Sequence, residues 1–178
     1  MRNSLFFIFA IISYSLSAQR YMTRNAEVYF LSDKDAFEVV EATNNQVGAV
    51  VDLSNGALAF QIQMRAFHFQ IALMEEHFNE NYVESDIYPK ATFRGEFLEF
   101  PKNLKQKQEV LVNGIIDFHG VQKEMSISVL MELDDQRLIG ECNFVLLCSD
   151  FGIKIPKIVA DKLSNEIQVS VKAILTKI

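Results

Sequence analysis

The chain has 178 residues, 17 basic and 23 acidic side chains and a formal net charge of −6, a length that suits one domain with its own core. At 49% hydrophobic and 22% charged residues it falls outside the disordered and multi-span membrane classes. No basic stripe offers the counterion release that binding a phosphate backbone needs, which excludes nucleic acid as a partner.

Met1-Arg2-Asn3 is a short, positively charged start, and Leu5 to Ile12 is an uncharged apolar run too short to cross a bilayer. Ser15, Ser17 and Ala18 then supply the small residues that signal peptidase prefers. The expectation is a signal peptide over 1–18, cut after Ala18 or Ser17, and a folded domain over 19–178 that is exported to the periplasm or secreted. A retained N-terminal anchor is the alternative. No cysteine stands at the junction for lipid attachment.

Beyond this segment the dominant period is two. Weaker extended runs cover Ala26–Leu31, Phe37–Thr43 and Val47–Asp52. Leu58, Phe60, Ile62, Met64 and Ala66 then line one face of a half-buried strand, with Gln61, Gln63 and Arg65 on the other. After a weak run at Thr92–Phe100, the alternation returns in Val110/Val112/Gly114/Ile116/Phe118 and in Met125/Ile127/Val129/Met131/Leu133. It closes with Cys142/Phe144/Leu146/Cys148 and Ile167/Val169/Val171/Ala173/Leu175. Asn44-Asn45-Gln46, Ser54-Asn55-Gly56, His119-Gly120 and Asp134-Asp135-Gln136 read as the turns between them. An all-β meander of about eight or nine antiparallel strands buries its apolar face either as a sandwich or as a closed barrel.

Two segments depart from this pattern. Phe67, Ile71, Met74 and Phe78 recur at helical spacing, so a short amphipathic helix is predicted from Gln70 to about Asn79. A second is predicted over Pro156 to Leu163, with Pro156 at its first position. Short helices between long strands can cap a barrel's ends.

The chemistry-bearing residues are dispersed. His68, His77 and His119 form no metal-binding helix motif, and His77 with Glu80 would lack further ligands. Glu75-Glu76 and Asp134-Asp135 are neighbours whose side chains diverge. Ser149-Asp150-Phe151-Gly152 reads as a turn, with the Asp side chain bonding nearby backbone N–H groups and Gly152 taking positive φ. Cys142 and Cys148 lie six residues apart along one strand, about 20 Å, too far for a disulfide; they read as small buried hydrophobes. No catalytic residue, cofactor or metal is implied.

Three stretches, in order, carry a resemblance. They are His77-Phe78-Asn79-Glu80-Asn81-Tyr82-Val83-Glu84 with Tyr88-Pro89-Lys90-Ala91-Thr92-Phe93; Asn113-Gly114-Ile115-Ile116-Asp117-Phe118-His119-Gly120-Val121-Gln122-Lys123; and Ser149-Asp150-Phe151-Gly152-Ile153. Together the sequence resembles the YceI-like family of exported lipid-binding proteins. Asp117 stands where the family pattern has Thr, and Tyr29-Phe30-Leu31-Ser32 is a diverged counterpart of its N-terminal strand. The resemblance implies a lipocalin-like antiparallel barrel of about eight strands with one or two capping helices, holding a polyisoprenoid or similar long-chain amphiphile. The expected cavity wall is Leu58, Phe60, Ile62 and Met64, joined by Phe93 from the first stretch. Phe67, Phe69, Met74 and Phe78 form a flexible lid over one mouth. The expected partner is this lipid, with transient membrane contact and no enzyme activity. A filled barrel serving as a protein-interaction module is the competing reading, since any small barrel needs a packed core.

Overall fold

The computed structural model describes residues 19–32, 39–101, 103–155 and 164–178. The alternating runs become β1 (Arg20–Ser32), β2 (Val40–Asp52), β3 (Ala57–Gln63), β5 (Lys90–Phe97), β6 (Gln108–Phe118), β7 (Val121–Asp134), β8 (Arg137–Leu147) and β9 (Glu166–Lys177). A two-residue β4 (His68–Phe69) pairs with β2 through Ala42 and Thr43. Every pairing is antiparallel, in the order β1-β9-β8-β7-β6-β5-β3-β2, and β1 pairs back onto β2. The sheet therefore closes as an eight-stranded barrel, which leaves no strand edge to cap. That closure decides between sandwich and barrel.

Antiparallel pairing sorts the connections into two sets. At one end, β2–β3 and β7–β8 are joined by tight turns, and the longer β5–β6 loop lays Leu104 against the core while its carbonyl accepts the Leu133 N–H at 2.6 Å. Leu138 and Leu175, opposite each other on β8 and β9, plug this end and are almost wholly buried. At the other end the His119-Gly120 hairpin is short, with both residues at positive φ (51° and 74°), as a two-residue turn matched to strand twist requires. The long insertion between β3 and β5 sits there too. It begins with a 3-10 turn at Met64–Ala66, continues through β4 and helix α1 (Ala72–His77), and ends in a π-turn at Phe78–Tyr82.

Several expectations shift. Asn44-Asn45-Gln46 is no turn, because β2 runs straight through it. The register passes from Ala26↔Val47 to Val28↔Asn44, so one extra residue is accommodated as a bulge. Asn44 is fully buried there, donating to the Gln63 carbonyl at 2.9 Å and accepting the Gln46 N–H at 2.8 Å. The strand at Leu58–Ala66 ends at Gln63, and that at Thr92–Phe100 ends at Phe97. The helix expected from Gln70 to Asn79 narrows to Ala72–His77, since the wider π-turn takes over at Phe78. The signal segment and the helix at Pro156–Leu163 lie outside the described residues.

Candidate functional site

The inward faces of all eight barrel strands enclose a cavity of about 550 Å³, within the roughly 300–1,000 Å³ common for small-molecule sites. The barrel is hollow rather than filled. Its floor is the Met131, Ala173 and Leu175 layer, and its upper reaches meet the insertion between β3 and β5. Ile71, Leu73 and His77 line the cavity while remaining exposed to solvent, so they mark its mouth.

All nine residues singled out from the sequence border this space. Leu58, Phe60 and Ile62 project from β3 and Met64 from the turn that follows, while Phe93 projects from β5. The Phe93 ring lies over Gly95 and Gly114, which face each other across β5 and β6 and leave room for it by having no side chain. Met74 of α1, Phe67, Phe69 and Phe78 form the roof. Phe67, Phe69 and Phe78 gather around Phe30 of β1, with ring centroids 5.1–5.8 Å apart in tilted, edge and stacked pairs, geometries that aromatic quadrupoles favour.

The other side of the roof is fastened by polar contacts. His119 donates from Nδ1 to the Phe151 carbonyl at 2.8 Å, and its Nε2 meets the Glu84 carboxylate at 3.0 Å. The Tyr88 ring packs against the imidazole at 4.4 Å. One hairpin residue thus ties the insertion to the turn after β8. That turn, Cys148–Phe151, ends at Gly152 with φ +71° as expected. The Asp150 side chain differs from expectation: it pairs with Lys123, while the Ser149 N–H is taken by Asn165 Oδ1 at 2.9 Å.

The outer face carries the complementary parity. Ser126 donates to Asn113 at 2.7 Å and Ser170 to Asn143 at 2.6 Å across neighbouring strands, and Lys107 pairs with Glu141 at 3.1 Å. Between these polar pairs the outer face also exposes Leu111, Ile115, Leu130, Val145 and Ile174. Asp117 also points outward, accepting from Gln122 at 2.9 Å. Cys142 on β8 and Cys148 beyond its end are both unbonded and both line the cavity. Burial pushes the Cys142 thiol up to about 11 and raises that of Cys148, so neither is poised as a nucleophile.

The sequence matches the YceI-like domain over residues 21–175. The chain belongs to the YceI-like family. Solved structures with this fold include a polyisoprenoid binding domain from Saccharophagus degradans, at TM-score 0.76 and 12% identity, covering 90% of this chain and 99% of that one. BcnA of Burkholderia cenocepacia gives 0.72 at 14% identity, covering 85% and 96%. The YceI protein of Campylobacter jejuni gives 0.66 at 14%, covering 82% and 90%. No curated protein sequence matches the chain.

In this YceI-like domain the cavity extends beyond the sequence-derived set. Phe30, Phe118, Phe144 and Phe151 contribute rings, and Tyr82 ends the π-turn with its side chain on the wall. Phe30 follows Ala26 and Val28 in the inward parity of β1, and Tyr82 stands four residues after Phe78 on the same helical face. Both signals were present in the sequence. The long-range closure that turns them toward one space was not.

Proposed function

We propose that this protein is a non-enzymatic carrier or store for a long-chain lipid, a polyisoprenoid or similar amphiphile, and that it works in the periplasm after removal of residues 1–18. The observation that carries this reading is the apolar cavity inside the barrel, closed below by Leu138 and Leu175 and roofed by a Phe- and Met-containing insertion. A structural relative described as a polyisoprenoid binding domain supports it. Each methylene moved from water into such a space contributes about 0.8 kcal/mol. Ten ligand carbons therefore supply about 8 kcal/mol, against roughly 4 kcal/mol or more for lost freedom of motion. Binding of this kind selects chain width and length, because dispersion contacts depend on fit.

Native mass spectrometry of protein purified without denaturation tests the proposal. A discrete adduct that is removed by organic extraction and restored by adding a prenyl alcohol is expected. Protein that never carries or takes up such a mass would favour the interaction-module reading instead. N-terminal sequencing of the exported form should begin at Gln19 or Ala18, and a start at Met1 would reject the cleavage.

A further inference from the structure

The cavity wall is almost entirely hydrocarbon and thiol, so its few oxygen and nitrogen atoms determine where a lipid's polar end can rest. Ser32 and Ser164 are engaged with the backbone: the Ser32 hydroxyl accepts the Ser164 N–H at 3.1 Å, and the Ser164 hydroxyl accepts the Glu166 N–H at 3.0 Å. His77 lies at the solvent-facing mouth. Tyr82 is placed differently. It packs with Ile116, Phe151 and Cys148 in a hydrophobic cluster under the roof, and among the described residues its hydroxyl finds no acceptor. Burial raises its pKa, with the neighbouring Cys148 thiol adding to the rise. The half-buried Tyr82 thus places a free hydroxyl on an otherwise apolar stretch of the cavity wall, where a tyrosine O–H gains by finding an acceptor.

Resting on the lipid-binding reading above, we propose that Tyr82 is the subsite for the ligand's polar end, its phenolic O–H donating to an uncharged carbonyl or hydroxyl oxygen where the insertion meets the cavity wall. The ligand class follows from the rest of the wall. Around Tyr82 the packed neighbours are Ile116, Phe151 and Cys148, which offer an ionised head no counter-charge, and a buried charge without a partner is strongly disfavoured. A neutral head therefore enters, whereas an ionised carboxylate or phosphate stays in water and leaves its chain only partly inserted. The chain runs downward from Tyr82 toward Met131 and Ala173, past Phe93.

Three C20 isoprenoid probes test this by displacing diphenylhexatriene, an uncharged fluorescent hydrocarbon: phytol, its parent alkane phytane, and phytanic acid at pH 7. Tyr82→Phe removes one oxygen and keeps the ring. It should weaken phytol about five- to thirty-fold, the loss of one buried hydrogen bond, and leave phytane and diphenylhexatriene unchanged. Their unchanged binding also reports an intact cavity. Phytanic acid should bind the parent protein at least about tenfold more weakly than phytol. Equal phytol affinity in parent and Tyr82→Phe overturns the subsite, as does a selective phytol loss in Ser32→Ala instead. A parent protein that binds no hydrocarbon at all overturns the lipid-binding reading itself, which separates the two failures.

Discussion

Adding one methyl at Gly114 should unsettle both the barrel and its cavity. A Cβ there would lie 2.5 Å from the Arg94 carbonyl oxygen, 2.5 Å from Phe93 Cζ and 2.8 Å from the Gly95 Cα. Two of these neighbours are backbone atoms of β5, so relief requires β5 and β6 to separate as well as the Phe93 ring to swing aside. Overpacking of a wall costs about 1–3 kcal/mol, and the upper end applies because the backbone must move. For a chain of this size, 3 kcal/mol lowers Tm by about 6–12 °C. Gly140→Ala is the matched control on β8. Its Cβ would meet only Val129 Cγ1, at an ordinary 3.7 Å, and fewer unfolded conformations should stabilise the protein by about 0.4–1 kcal/mol. Urea unfolding of the ligand-free proteins, with equal m-values, gives both differences. A Gly114→Ala protein within about 0.5 kcal/mol of the parent, or equal destabilisation by the two alanines, would refute the clash at Gly114.

Three further outcomes are expected. Ile62→Glu, which puts a carboxylate into the cavity wall, should weaken phytol binding at least about tenfold, whereas Gln61→Glu on the outward face of the same strand should leave it unchanged; displacement titrations on variants shown to be folded by circular dichroism decide this. Asp52 is held from its usual 3.8 down to about 2 by the Ser54 hydroxyl and then by Arg20, so its contribution to stability is full above about pH 4 and fades as pH falls through 2; the stability gap between the parent and Asp52→Asn should close over that window in acid unfolding curves. At pH 8 iodoacetamide should label Cys142 slowly in the folded protein, since its thiol titrates only near 11, and should label both cysteines quickly in urea; a peptide linking 142 to 148 would contradict the free thiols.

What the sequence revealed and what it concealed have separable causes. The inward parity of β3, β6, β7, β8 and β9 was legible because side chains alternate strictly along an extended chain, and one buried face makes that alternation visible. The same rule identified Leu58, Phe60, Ile62 and Met64 as one wall. Asn44-Asn45-Gln46 misled because asparagine favours turns, yet here Asn44 is satisfied by Gln63, a partner on another strand. No local window contains that bond. Hollowness was equally illegible: it depends on Gly95, Gly114 and Gly140 thinning the wall and on β1 meeting β2, both consequences of ring closure. Tyr82 escaped notice because its helical partner Phe78 already explained the segment's packing.

The pairing of β1 with β9 puts residues 20 and 178 side by side, the Ile178 N–H donating to the Arg20 carbonyl at 2.9 Å. Both lie at the plugged end, a full strand's length from the roof. A tether attached beside residue 20 or residue 178, whether to a bead, an electrode or a fluorescent protein, therefore sits at the pole opposite the mouth. A short linker between residues 178 and 20 would also let the chain be reopened in another loop, yielding a circular permutant with the same closed wall. For a hydrocarbon sensor built on this barrel, attachment and uptake occupy opposite poles.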